Sequence, residues 1–215
     1  MENNVTHIQP SPPSAVTTVQ EAEKIINIGS VEAYHQHLTQ VFIPTGLPGT
    51  PGYRLNPVNF SRDYYNLIIC GKDPMLSDGT LTMPKDICLV EEDNIAPALK
   101  ERFSPLAAEA LEELKSFPCI LAGENRHPGW TDEDQPAAVA QLLDIRNHPN
   151  GIDLSFHLIF VFPQCRISDL LEELGICGKK GTFNELNHSH WSVKQVDLLQ
   201  VLTAHGLNPY ASPSP

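Results

Sequence analysis

The densest group of reactive side-chain types in the chain runs Glu185-Leu186-Asn187-His188-Ser189-His190-Trp191-Ser192-Val193-Lys194. In an extended backbone, residues two apart project to the same face, so His188 and His190 would present two imidazoles able to share a divalent metal. Glu185 or Asp197 would complete such a site, and a metal-activated water would be the nucleophile of a hydrolase or nuclease. Two features weigh against this: no third ligand stands at a defined spacing, and the adjacent Trp191 reads as a packed structural corner. A hydrogen-bonded structural role, or contact with a ligand, is the plainer expectation. It calls for no cofactor, and a divalent metal is the alternative.

Glu124-Asn125-Arg126 directly follows an apolar run, Pro118 to Gly123, that reads as a buried strand. Side chains leaving a strand end are well placed for a pocket, where a carboxylate acts as a general base or binds a polar group. The plainer reading has Arg126 meeting a carboxylate and closing the sheet end. Trp130, in the acidic loop 129–135, is the kind of aromatic that anchors interfaces, or else a cap on the core. His35 and His37 repeat the histidine spacing, but their segment reads as helical, and residues two apart in a helix lie about 200° round the axis and cannot jointly ligate. Phosphate-loop, dinucleotide-binding, nucleophile-elbow and HExxH patterns are missing, and Cys177-Gly178-Lys179-Lys180-Gly181-Thr182 lacks the order of a phosphate loop. Whether the chain is an enzyme is left open at this point.

The elements that must hold these residues follow from pattern. Residues 1–18 are polar, contain three prolines and lack aromatics, so they are expected to be a disordered or partner-docking tail, with 208–215 a second tail. Between them, 19–207 reads as one α+β domain with a sub-boundary near 116. From Val19 to Val41 the apolar positions recur at roughly helical spacing, interrupted at Gly29-Ser30, which predicts two short helices. Asp63 to Cys70 and Thr80 to Val90 read as a pair of strands joined by a loop ending at Asp78-Gly79. Ser104-Pro105 predicts the start of a helix running to about Ser116.

Beyond it, 118–124, 137–146 and 152–162 read as strands, the last two joined by His148-Pro149-Asn150-Gly151, a hairpin signal. The last of these is apolar on one face throughout and on both towards its end, the mark of a central strand. Ile167 to Leu174 and Asp197 to His205 read as short helices, the latter closed by Gly206. The expected architecture is a small antiparallel curled sheet or partial barrel with short helices packed around it.

Composition limits the partners. The 215 residues carry a net charge of −12, which repels phosphate backbones and argues against direct nucleic-acid binding. Acidic runs such as 91–93 and 132–134 read as solvated loops, with a basic partner surface as the functional alternative. Five cysteines without CxxC spacing point to buried thiols in a reducing compartment. No apolar stretch reads as a membrane span or signal, which predicts a cytoplasmic protein.

Ser116-Phe117-Pro118-Cys119-Ile120-Leu121-Ala122-Gly123-Glu124 and His190-Trp191-Ser192-Val193-Lys194-Gln195-Val196-Asp197-Leu198 together resemble a module appended to, or encoded beside, prokaryotic defence proteins. In that pattern a short strand ending in Glu precedes a small barrel, and a His-Trp-x-x-Lys-x-x-Asp-Leu segment closes it. The likeness covers about residues 116–203. It implies a partner-associated cytoplasmic role and transfers no catalytic residue. The expected function is therefore a non-catalytic binding or regulatory subunit of an antiviral-defence type of complex. It would contact a partner protein or small ligand through Glu124, Arg126, His190, Trp191 and Lys194. The metal-assisted hydrolase or nuclease at His188 and His190 remains the second expectation.

Overall fold

The computed structural model describes residues 20–26, 34–45, 54–71, 79–90 and 94–207. Both expected tails, the Gly29-Ser30 break and most of the loop before Gly79 lie outside them. The architecture is α+β, a curled six-stranded half-barrel beside a small antiparallel sheet, with four short α-helices among the described residues.

The small sheet is formed by β1 (Gln20–Ile26), β2 (Tyr34–Thr45) and β3 (Arg54–Ser61), each pair antiparallel. This overturns the two helices expected over 19–41. The apolar positions there also fit a period of two: Thr39, Val41 and Ile43 are buried in alternation along β2. β-Branched residues and sheet pairing favour the extended form. His35 and His37 accordingly lie on a strand, and Asp63 accepts from the His37 amide at 3.1 Å.

The large sheet contains β4 (Tyr65–Ile69), β5 (Gly79–Met83), β6 (Pro118–Ala122), β7 (Pro136–His148), β8 (Gly151–Pro163) and β9 (His190–Lys194), in the order β5-β8-β7-β6-β4-β9. The hairpin β7–β8 turns at Pro149-Asn150 as expected, with His148 paired to Gly151. Register shifts between Val139 and Ala140 and between Leu142 and Asp144 bend it, which supplies curl. β8 lies between β5 and β7, one strand in from the edge rather than at the centre.

β4 and β5 are not neighbours, contrary to the expected strand pair. β4 runs parallel to β6 and antiparallel to β9, whereas β5 joins β8 at the far edge. A parallel pair needs a long crossover, here residues 70–117, which contains α1 (Pro97–Phe103) and α2 (Ala108–Lys115). Ser104-Pro105, expected to begin a helix, instead ends α1, and Leu106 takes a positive φ of 51° before α2 starts. The Arg102–Glu113 ion pair at 2.6 Å ties the two helices to each other, and the edge-on Phe103–Phe117 contact packs α1 on the residue that leads into β6. Likewise Pro84 ends the strand expected to reach Val90, and a 3-10 turn at 85–87 follows.

The half-barrel sheet has an apolar core on either face. Tyr65, Leu67 and Ile120 point to the side that carries the small sheet, α3 (Cys165–Ser168) and α4 (Leu198–Ala204). Ile68, Leu121 and Trp191 point to the side of α1 and α2. Asp197 caps α4 by accepting from the Gln200 amide, and Gly206 follows its last turn at φ 72°. No described helix is long and apolar enough to cross a membrane.

Candidate functional site

Period two fixes what β9 shows to each core. Trp191 and Val193 enter the apolar core beneath α1 and α2, where the Trp191 indole N–H donates to Asn66 Oδ1 at 3.0 Å. His190, Ser192 and Lys194 must then share the opposite face, in register with Ile69, Leu67 and Tyr65 of β4. Three polar side chains buried on one face need partners, because an unmatched buried donor costs about 1–3 kcal/mol and an unpaired buried charge more.

Glu185 supplies those partners. It opens a 3-10 turn, Glu185–Asn187, fixed by a capping box in which Asn184 and Asn187 exchange side-chain to backbone bonds. Its Oε1 accepts from His190 Nε2 at 2.9 Å and Ser192 Oγ at 3.1 Å, while Oε2 accepts from Lys194 Nζ at 2.8 Å and the Cys177 amide at 2.8 Å. Lys194 Nζ also donates to the Asn94 carbonyl at 2.6 Å. Glu185, His190 and Lys194 are only 2%, 1% and 5% exposed. Burial alone would raise the Glu185 pKa, but the His190 bond and the Lys194 charge outweigh it and hold the carboxyl below the ordinary glutamate range. On the neighbouring strand, burial pushes the Tyr65 hydroxyl well up, and the Glu185 charge adds to it.

A second carboxylate fastens the start of this strand. Glu124, just past β6, accepts at Oε1 from both the amide and the hydroxyl of Ser189, at 2.8 and 2.6 Å. Ser189 Oγ accepts in turn from the Gly71 amide at 2.9 Å, and the Glu124 amide donates to the Gly71 carbonyl at 2.5 Å. The ends of β4 and β6 and the start of β9 are thereby clasped together. Burial, with the Glu124 charge added, pushes the nearby Cys70 thiol up to about 11.

Glu124 and Glu185 thus anchor the 188–194 segment separately, Glu124 through Ser189 and Glu185 through His190, Ser192 and Lys194. Its character differs from a metal centre. The His188 and His190 rings lie 4.9 Å apart, but His190 Nε2 faces Glu185 and its Nδ1 faces the His188 carbonyl at 3.1 Å. No lone pair of His190 is directed at a space an ion would fill. His188 Nε2 sits 3.0 Å from Asn94 Nδ2, and its ring stacks on Phe183. Asp197, the other expected ligand, is engaged as the α4 cap and with Arg62 at 2.9 Å. Among the described residues no group of three or more His, Cys, Asp and Glu side chains is placed to hold a metal ion.

Of the expected contact residues, His190, Trp191 and Lys194 are turned inward and would have to be uncovered before a ligand could touch them. Arg126 remains accessible, and it meets carboxylates as expected: Asp132 at 3.3 Å and Asp134 at 3.0 Å, closing the loop between β6 and β7. Trp130 stands out from that loop at 58% exposure.

Comparison of the chain with protein-family models, curated proteins and solved structures found no match.

Sequence reasoning missed Phe183, 67% exposed on the loop before the 3-10 turn, and the Glu124–Ser189 clasp. The clasp had a signal in retrospect: a carboxylate leaving one strand end and a serine at the start of another. Asn94, a hundred residues from Lys194, had none.

Proposed function

We propose that the chain is a non-catalytic binding or regulatory subunit that recognises a protein partner. One observation carries the reading: Glu185, the hub of the polar segment that holds His188 and His190, accepts from four donors and has no capacity left for an ion or substrate. A group saturated in this way specifies the position of the 177–190 loop rather than reacting. The exposed side of the same region carries two large aromatics, which suits recognition better than chemistry. The resemblance over 116–203 to a module of prokaryotic defence systems supports a setting within a multi-protein complex in the cytoplasm. The metal-assisted alternative would require His190 to leave both Glu185 and the His188 carbonyl.

The test is purification of the tagged chain from its native cell, followed by size-exclusion chromatography and cross-linking. The reading predicts a stoichiometric complex with a defined protein and no turnover by the isolated chain. A monomer that hydrolyses esters or phosphodiesters in the presence of added divalent metal, and loses that activity on His190→Ala, would overturn it.

A further inference from the structure

A neutral imidazole has one nitrogen that donates and one that accepts. His148 follows that pattern: its Nε2 meets Asp153 Oδ1 at 3.1 Å, and its Nδ1 accepts from the Asn150 amide at 3.3 Å. His190 does not. Its Nε2 lies 2.9 Å from Glu185 Oε1 and its Nδ1 lies 3.1 Å from the His188 carbonyl oxygen, so both ring nitrogens face oxygens. Either neutral tautomer would set one nitrogen lone pair against an oxygen lone pair. At 1% exposure His190 is shut off from the bulk water that would screen this repulsion.

Neither oxygen has a proton to lend. A backbone carbonyl only accepts. Glu185 Oε1 also accepts from Ser192 Oγ, and Oε2 takes the Lys194 ammonium and the Cys177 amide, so the carboxyl is held below the ordinary glutamate range and stays ionised. The other titratable groups round the pair are engaged elsewhere. Lys194, from the far end of β9, donates also to the Asn94 carbonyl, and the Tyr65 hydroxyl of β4 donates to the Leu174 carbonyl at 2.7 Å. His188 Nε2 meets Asn94 Nδ2, and Glu124 takes the amide and hydroxyl of Ser189. None of these bonds brings a donor to either nitrogen of His190.

We propose that His190 is held as the imidazolium in the folded chain, with Glu185 bridging it to Lys194, and that its second proton, donated to the His188 carbonyl, latches the exposed His188–Phe183 pair. The His188 ring stacks on Phe183 with planes 3° apart, so the residue whose carbonyl receives the proton also seats the aromatic. The rest of the Phe183 loop is tied independently. The Gly181 amide donates to the Gly129 carbonyl at 3.0 Å, and a Cβ on Gly129, at φ 72°, would run into the Thr182 backbone. Removing the second ring proton replaces a charge-assisted hydrogen bond with lone-pair repulsion at residue 188 alone. Phe183 should then move while the tie at Gly129 holds. The latch opens towards alkaline pH, whether or not a partner is bound.

The test is long-range proton–nitrogen NMR of the imidazole rings in the 15N-labelled full chain. An ordinary imidazole, titrating at about 6.5, is about nine-tenths neutral at about pH 7.5. His190 should instead show both ring nitrogens protonated there, and return to the mostly neutral form in unfolding urea. A folded-state ring with one protonated nitrogen, in either tautomer, overturns the proposal. Glu185→Gln should leave His190 singly protonated while the Trp191 indole signal reports a folded chain; two protonated nitrogens in that folded variant would remove Glu185 as the cause. In the wild-type chain, raising the pH until His190 loses its second proton should shift the Phe183 ring signals in step and leave the Gly129 amide in place. Phe183 signals that stay put, or a second proton kept until the chain unfolds, overturn the latch.

Discussion

Truncating Glu185 to Ala should be among the most damaging single changes available to this chain. The substitution strips the acceptor from His190, Ser192, Lys194 and the Cys177 amide at once. Lys194 keeps the Asn94 carbonyl, but its charge stays 5% exposed with its counter-ion gone. Removing one partner of a buried pair costs about 3–5 kcal/mol, because the remaining charge is neither solvated nor matched. Against a total stability of about 5–15 kcal/mol, that consumes about a fifth of the margin at the least. Urea unfolding followed by fluorescence of the buried Trp191 reads the loss as a lower midpoint with an unchanged slope. A double-mutant cycle of Glu185→Gln with Lys194→Met should return a coupling of about 1–3 kcal/mol. A loss on Glu185→Ala below about 1 kcal/mol, the size of an exposed pair, would refute the hub as described.

Other consequences can be measured separately. Because the Glu185 carboxyl is held below its ordinary range, its contribution is complete above the unfolded value of about 4.3 and is lost as pH falls through the lower folded value. The stability gap between wild type and Glu185→Gln, from urea titrations across pH, should therefore be flat from neutrality to about pH 5 and close below about pH 4. Asn66→Leu should cost about 1–3 kcal/mol by orphaning the Trp191 indole N–H, and should shift Trp191 emission. Thiol titration of the native chain should label the exposed Cys177 first, and Cys88 and Cys119 only after unfolding, since burial pushes both of those thiols up to about 12. Gly129→Ala should unlock the two aromatic loops and increase acrylamide quenching of Trp130, with the Trp191 component unchanged.

What the sequence disclosed, and what it hid, follows the range of the interactions. The β7–β8 hairpin was legible because its turn and its alternation are local signals, as was the close of α4 at Gly206. The stretch 19–41 was misread as two helices because positions such as Tyr34, Leu38 and Val41 fit a helical spacing while Thr39, Val41 and Ile43 fit a strand. Only pairing with β1 and β3 decides between them. The parallel contact of β4 with β6 depends on a crossover of nearly fifty residues, 70–117, for which no local pattern exists. At the site, the extended reading put His188 and His190 on one face, whereas the strand begins only at His190 and pairs its face with Ser192 and Lys194. Nothing in the sequence said that this face points inward, or that Glu185 would saturate it.

The central claim, that the histidine-bearing segment is a closed internal hub, is tested most directly by titrating zinc into the metal-stripped chain. Calorimetry and the imidazole resonances of His188 and His190 report the outcome. The account predicts no stoichiometric binding and unmoved His190 signals until the chain unfolds. One equivalent of zinc taken up by the folded protein, with His190 shifted and the uptake lost on His190→Ala, would contradict it.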